Sequence, residues 1–156
     1  MKYNSVSEIY SICALKSTQN VHSVKIKQIM LYDRLMKYEE FNNYCNSLSS
    51  TTHVIQWGNS HVWKVGGKVF AIGGWEKRET PAFTFKTSES DFYFLSDEPG
   101  FRPAPYFASR GMKWIQFHNV PKSEEHKLKH FLKKSHHIVS LGLTKKKQKE
   151  LGLNQN

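Results

Sequence analysis

The sequence is poor in cysteine, acidic residues and long apolar runs, and each shortage excludes a class of protein. Its two cysteines, Cys13 and Cys45, sit in neither a C-x-x-C nor a Cys/His zinc spacing, so no disulfide framework and no structural metal centre is expected. No run of 18 apolar residues could cross a membrane, and the weakly apolar Ile9 to Leu15 follows Glu8 without a small-residue cleavage site. A reducing cytoplasm is the expected compartment. No G-x-S-x-G elbow, P-loop or dinucleotide fingerprint occurs, and scattered His and Glu do not make an acid-base set, which predicts a non-catalytic protein without a cofactor.

Basic and aromatic residues are plentiful. Hydrophobic residues make up 38% of the 156 residues and aromatics 13%, enough for one globular domain with an aromatic core. Lys and Arg number 23 against 13 Asp and Glu, a formal charge of +10. The last 35 residues, 122–156, hold nine Lys and three Glu and so carry +6 of it. Concentrated charge of this kind suits a polyanion partner.

Residues 1–29 show no sustained helical or strand period, which predicts a poorly ordered extension before a domain over 30–156, and Met30 is an alternative start for the chain. From Arg34 to Leu48, Leu35, Tyr38, Phe41, Tyr44, Cys45 and Leu48 recur at helical steps, and Cys45 reads as a small buried hydrophobe. His53–Trp57, His61–Val65, Lys68–Gly74 and Ala82–Lys86 read as four strands of an antiparallel meander, two of their joints being Gly58-Asn59 and Gly66-Gly67. Trp75 to Pro81 reads as an exposed charged loop. Ser88 is placed to cap a short helix with Phe92 and Leu95 inward, Pro99 to Pro105 reads as rigid and irregular, and Lys113 to His118 as a further strand. In the closing helix, with Ser123 as N-cap, Leu128, Phe131, Leu132, Ser135, Ile138 and Val139 share one side. The other side carries Lys127, Lys129, Lys133, Lys134 and three histidines, His126, His130 and His137. A short piece from Thr144 adds Lys145, Lys146, Lys147 and Lys149, where lysines oppose the helix dipole.

The strings VWKVGGKVFAIGGW, AFTFK, PGFRPAPYFASRGMKW and KKSHHIVSLGL occur in that order, and through them Arg34 to Leu153 resembles the MmcQ/YjbR family of small bacterial proteins. The resemblance implies a CyaY-like α+β fold, a two-layer sandwich whose antiparallel sheet carries the N- and C-terminal helices on one face, and it implies DNA binding.

The candidate nucleic-acid contacts are Lys129, Lys133, Lys134, Lys145, Lys146 and Lys147, joined by Lys64 and Lys68 on the glycine hairpin, read as a wing, and by Arg102 and Arg110 around the proline-rich turn. They predict binding to DNA through backbone electrostatics with low specificity, since no recognition helix with Arg or Asn set for base edges is present. An acidic protein partner for the basic face is the first alternative; a small anion held by Arg102 and Lys86 is the second. Trp57, Trp63, Trp75 and Trp114 read as core. His126 and His130 stand four apart, but the motif is HKLKH with flanking lysines, so no metal is expected there.

Overall fold

A computed structural model describes the backbone of residues 6–74 and 80–155, with side chains from residue 20 onward. The chain divides into two units, Met1–Arg34 and Leu35–Asn156. The first carries the helix α1, Val6–Asp33, where irregular chain was expected. Residues 1–34 contain neither glycine nor proline, so helix propensity goes unopposed. No single side of α1 is apolar: Val21, Val24, Ile26, Ile29, Met30 and Leu31 are all exposed. A helix without an apolar stripe leaves no period in the sequence.

The second unit is α+β. Its elements are α2 (Tyr38–Ser47), β1 (Thr51–Gln56), β2 (Ser60–Val65), β3 (Lys68–Gly73), β4 (Ala82–Lys86), α3 (Glu89–Ser96), β5 (Phe101–Pro103), β6 (Trp114–His118), α4 (Glu125–Leu141) and α5 (Lys145–Glu150). The antiparallel sheet has the order β1-β2-β3-β4-β6-β5, so the first four strands form the expected meander. The loop expected from Trp75 to Pro81 lies, over 75–79, outside the described residues. Within the stretch expected to be irregular, Phe101 to Pro103 pairs with Phe117 to Ile115 as an edge strand, a position where a proline without an N–H is tolerated.

Helices α2 and α4 lie on one face, closing a core that includes Phe41, Phe70, Phe83, Phe85, Phe117, Leu128 and Leu132. Phe41 packs on Phe83 at 5.0 Å and Phe131 stacks on Phe85 at 5.7 Å. Cys45 is buried here, and burial pushes its thiol well above the ordinary range. α2 is shorter than expected, because Leu35 bridges Pro121 and Met36 donates its N–H to the Val120 carbonyl at 2.8 Å, which holds both residues extended. α4 starts later than a Ser123 cap would place it: Glu124 is the N-cap, after a single 3-10 turn over Lys122–Glu124.

Ser135 sits where the β3–β4 ladder stops at Ala71↔Phe85. Its Oγ accepts the Lys86 N–H at 2.9 Å and donates to the Phe70 carbonyl at 2.6 Å, satisfying groups that the end of the ladder leaves unpaired.

Candidate nucleic-acid interface

Strand direction sorts the charges. β2 and β4 end, and β3 and β6 begin, at the same end of the sheet, which the Gly66-Gly67 turn marks. α4 runs toward this end, where Leu143 packs on Gly66, and Ser50 Oγ donates to the Leu151 carbonyl at 2.9 Å, which seats α5 there too. Lys64, Lys68, Lys86, Arg110, Lys113 and the lysines of α5 therefore gather at one end of the unit. At the other end begin α2, with Glu39 and Glu40, and α4, preceded by Glu124 and opening with Glu125.

The stripe on α4 is less free than its sequence suggests. Lys129 pairs with Glu125, Lys134 with Asp91 of α3 at 2.5 Å, and Lys127 with Glu124 at 3.2 Å. Burial works to raise the Asp91 carboxyl, but Lys134 and the Ser88 hydroxyl outweigh it and hold the group below its usual range. Lys133 is exposed on α4 and pairs with no carboxylate among the described residues; the helix turns His136 and Ser140 inward as well as the expected apolar set. In α5, Lys147 reaches Glu150 at 3.5 Å, whereas Lys145, Lys146 and Lys149 are exposed and make no ion pair among the described residues. α5 is nonetheless well anchored: Thr144 caps it by accepting the Lys147 N–H, and the buried Gln148 donates to the Leu141 and Leu143 carbonyls.

The glycine hairpin is not a free wing. Gly66 and Gly67 both have positive φ, as a tight turn requires, but Gly66 sits against the side chain of Leu143. Lys68 remains exposed beside it and Lys64 half-buried. The Trp57 to Asn59 turn projects instead, at the opposite end, and Trp57 is exposed rather than in the core.

Arg102 is set apart from this cluster. Arg102 lies on β5, four strand spacings or about 19 Å from β2. Its guanidinium donates Nε and Nη2 to Gln116 Oε1 at 2.8 and 2.6 Å, and Gln116 in turn donates to Thr84 Oγ1 at 3.3 Å. This polar ladder, buried at Gln116 and Thr84 and half-buried at Arg102, occupies the sheet face opposite the helices, which period-two alternation alone would not identify as buried. Arg110 is exposed in the turn before β6, where Phe107 stacks on the buried Trp114 at 4.6 Å and Tyr106 stays exposed.

His126 and His130 line a cavity of about 480 Å³ between α3 and α4 with Phe94, Leu95, Glu98, Phe101, Lys127 and Phe131. No group of three His, Cys, Asp or Glu suited to a metal ion occurs among the described residues. No described helix is long and apolar enough to cross a membrane.

Comparison with known proteins bears on fold and family. A Deinococcus radiodurans protein, DR2400, with a DUF419 domain superposes at a TM-score of 0.65 and 19% identity, covering 79% of this chain and 93% of that one. A Pseudomonas syringae protein aligns at a TM-score of 0.47 and 17% identity, over 62% of this chain and 96% of its own. No curated protein matches the chain. The model of the YjbR family matches residues 46–138, more than half of the chain, and the protein belongs to that family.

Proposed function

We propose that this protein is a non-catalytic DNA-binding protein that grips phosphates with the Gly66 end of its sheet, at low sequence specificity. One observation carries the reading: Lys145, Lys146 and Lys149 stand exposed, without ion pairs among the described residues, on a helix that is itself anchored by buried hydrogen bonds. Lysines at Lys145 to Lys147 oppose the helix dipole by some tenths of a kcal/mol each, so helix stability does not account for them. Lys68 and Lys64 extend the surface along the hairpin, and Lys133 flanks it from α4. The paired Lys129 and Lys134 are secondary contributors, because a phosphate must compete with Glu125 and Asp91 for them. Arg102 supports the sheet through Gln116 and is not a primary contact.

The test is a fluorescence binding titration against duplex DNA, single-stranded DNA and RNA at two salt concentrations. Binding to duplexes of unrelated sequence with similar affinity, weakening as salt rises, supports the reading. Absence of binding at low salt overturns it.

A further inference from the structure

We propose that the nucleic acid preferred by the Gly66 end of the sheet is single-stranded, with Tyr106 stacking on an unpaired base. The inference rests on the reading above, that this end grips phosphates, and it names the form of the ligand. The turn over residues 104–112 lies at the same end, since β5 finishes and β6 begins there. Lysines alone would attract any phosphate chain, and their attraction makes no use of an aromatic ring in this turn.

Tyr106 is 65% exposed and has φ +65, a left-handed backbone that falls mainly on glycine and asparagine among the described residues. A Cβ makes that conformation unfavourable, and a ring left in solvent returns little of the loss through burial. Stability of the turn therefore does not account for a tyrosine here, where glycine would serve better. The neighbours fix the backbone that presents the ring. Phe107 stacks on the buried Trp114 at 4.6 Å, 14° from parallel. Ala104 donates its N–H to the Trp114 carbonyl at 2.8 Å, and the Ala108 and Met112 N–H groups close the turn onto the Ala104 and Phe107 carbonyls at 3.0 and 3.1 Å. Pro103 and Pro105 fix two further φ angles. A ring on so constrained a backbone loses little freedom when a base settles on it.

Cations for the phosphates lie at the same end. Arg110, in the same turn, is exposed, and Lys86, opposite Trp114 in the register, is half-buried; neither makes an ion pair among the described residues. An exposed ring among such cations suits a single strand, whose phosphates meet the cations while a base face meets the ring. In a duplex each base face is covered by its neighbours and only base edges reach the grooves, so Tyr106 has nothing to stack on. Every base has a π-face, so the contact is indifferent to sequence. Tyr93 on α3 is 58% exposed, but Lys113 Nζ lies 4.6 Å from its ring centroid and 3.1 Å from its hydroxyl, which makes it the lesser platform.

Full-length protein is titrated at low salt into fluorescently labelled single-stranded DNA, RNA of the same sequence and the corresponding duplex DNA. The unmodified chain should bind at least one of the single strands more tightly than the duplex, and the two single-strand affinities show whether DNA or RNA is the source. Tyr106→Gly removes the ring and relieves the left-handed backbone, so its unfolding midpoint should equal or exceed that of the unmodified chain. It is expected to weaken single-strand binding about tenfold and to leave duplex affinity within about twofold. Tyr106→Phe, which keeps the ring, should bind single strands as the unmodified chain does. Tighter binding of the duplex by the unmodified chain, unchanged single-strand affinity in Tyr106→Gly, or an equal loss on the duplex overturns this proposal and leaves phosphate gripping by the Gly66 end intact. Absence of binding to all three overturns both.

Discussion

A Cβ added to Gly66 would stand 2.5 Å from Cδ1 of Leu143, so the β2–β3 turn and the segment after α4 meet with no room for a methyl group. The contact fixes where α5 begins and hence where its lysines point. Gly67, with φ +84, has nothing within 4 Å of the same position. Gly67→Ala is expected to cost about 1 kcal/mol for its left-handed backbone, and Gly66→Ala that cost plus about 1–3 kcal/mol of overpacking against buried Leu143. Denaturant midpoints check the order. Adding Leu143→Ala should shrink the excess cost of Gly66→Ala; an unchanged excess would show that the contact is not its source.

Ser135→Ala is expected to destabilise the unit by about 2 kcal/mol, since it strands both the Lys86 N–H and the Phe70 carbonyl away from water. Equilibrium unfolding measures the loss. Amide exchange at Lys86 should rise with it, which a change in helix propensity alone would not produce.

The two groups of lysines should separate in their salt dependence. Lys145→Gln/Lys146→Gln/Lys149→Gln should flatten the slope of log affinity for duplex DNA against log salt by about 0.9 for each phosphate that the protein no longer neutralises. Lys129→Gln/Lys134→Gln, which removes cations already paired with Glu125 and Asp91, should change that slope much less. The opposite ranking would move the interface to α4.

His136 should make stability depend on pH. Its Nε2–H donates to the Ser49 carbonyl at 2.8 Å and its ring meets Phe70 edge-on, and burial holds the imidazole below its ordinary value of 6.5 despite the Ser49 bond. A depressed folded pKa means that the unfolded chain takes up the proton first. The stabilisation is therefore complete above 6.5 and is lost as pH falls from 6.5 through the lower folded value. His136→Gln, which keeps an N–H for Ser49, should narrow the difference between melting temperatures at about pH 7.5 and about pH 5. An unchanged difference would assign the pH dependence to other groups.

Removal of residues 1–29 is expected to leave the unfolding midpoint of the remaining chain nearly unaltered, because Leu35–Asn156 holds its own core. A large drop in melting temperature would show that the extension contributes to that core.

Much of the second unit was legible in the residues themselves. The strand-like runs His61–Val65 and Lys68–Ile72 around two glycines specify a hairpin because few other residues adopt positive φ twice in succession. Leu128, Leu132 and Val139 mark the inner side of α4 because burial repeats at the helical period. The family followed from motifs in order. The α1 helix left no mark, since a helix without an apolar face has no period to detect, and β5 was hidden because three residues ending in proline carry almost no strand signal.

The number of cations near the C-terminus and the succession of the first four strands can be read along the chain, but which cations are available depends on the folded packing. Lys134 and Asp91 lie 43 positions apart, and their pairing depends on how α3 docks against α4. Arg102 reads as a free cation until the register places Gln116 opposite it. Charge is a property of a residue, but its freedom to meet a partner depends on what else lies within a few ångströms, and for residues distant in sequence that is set by packing.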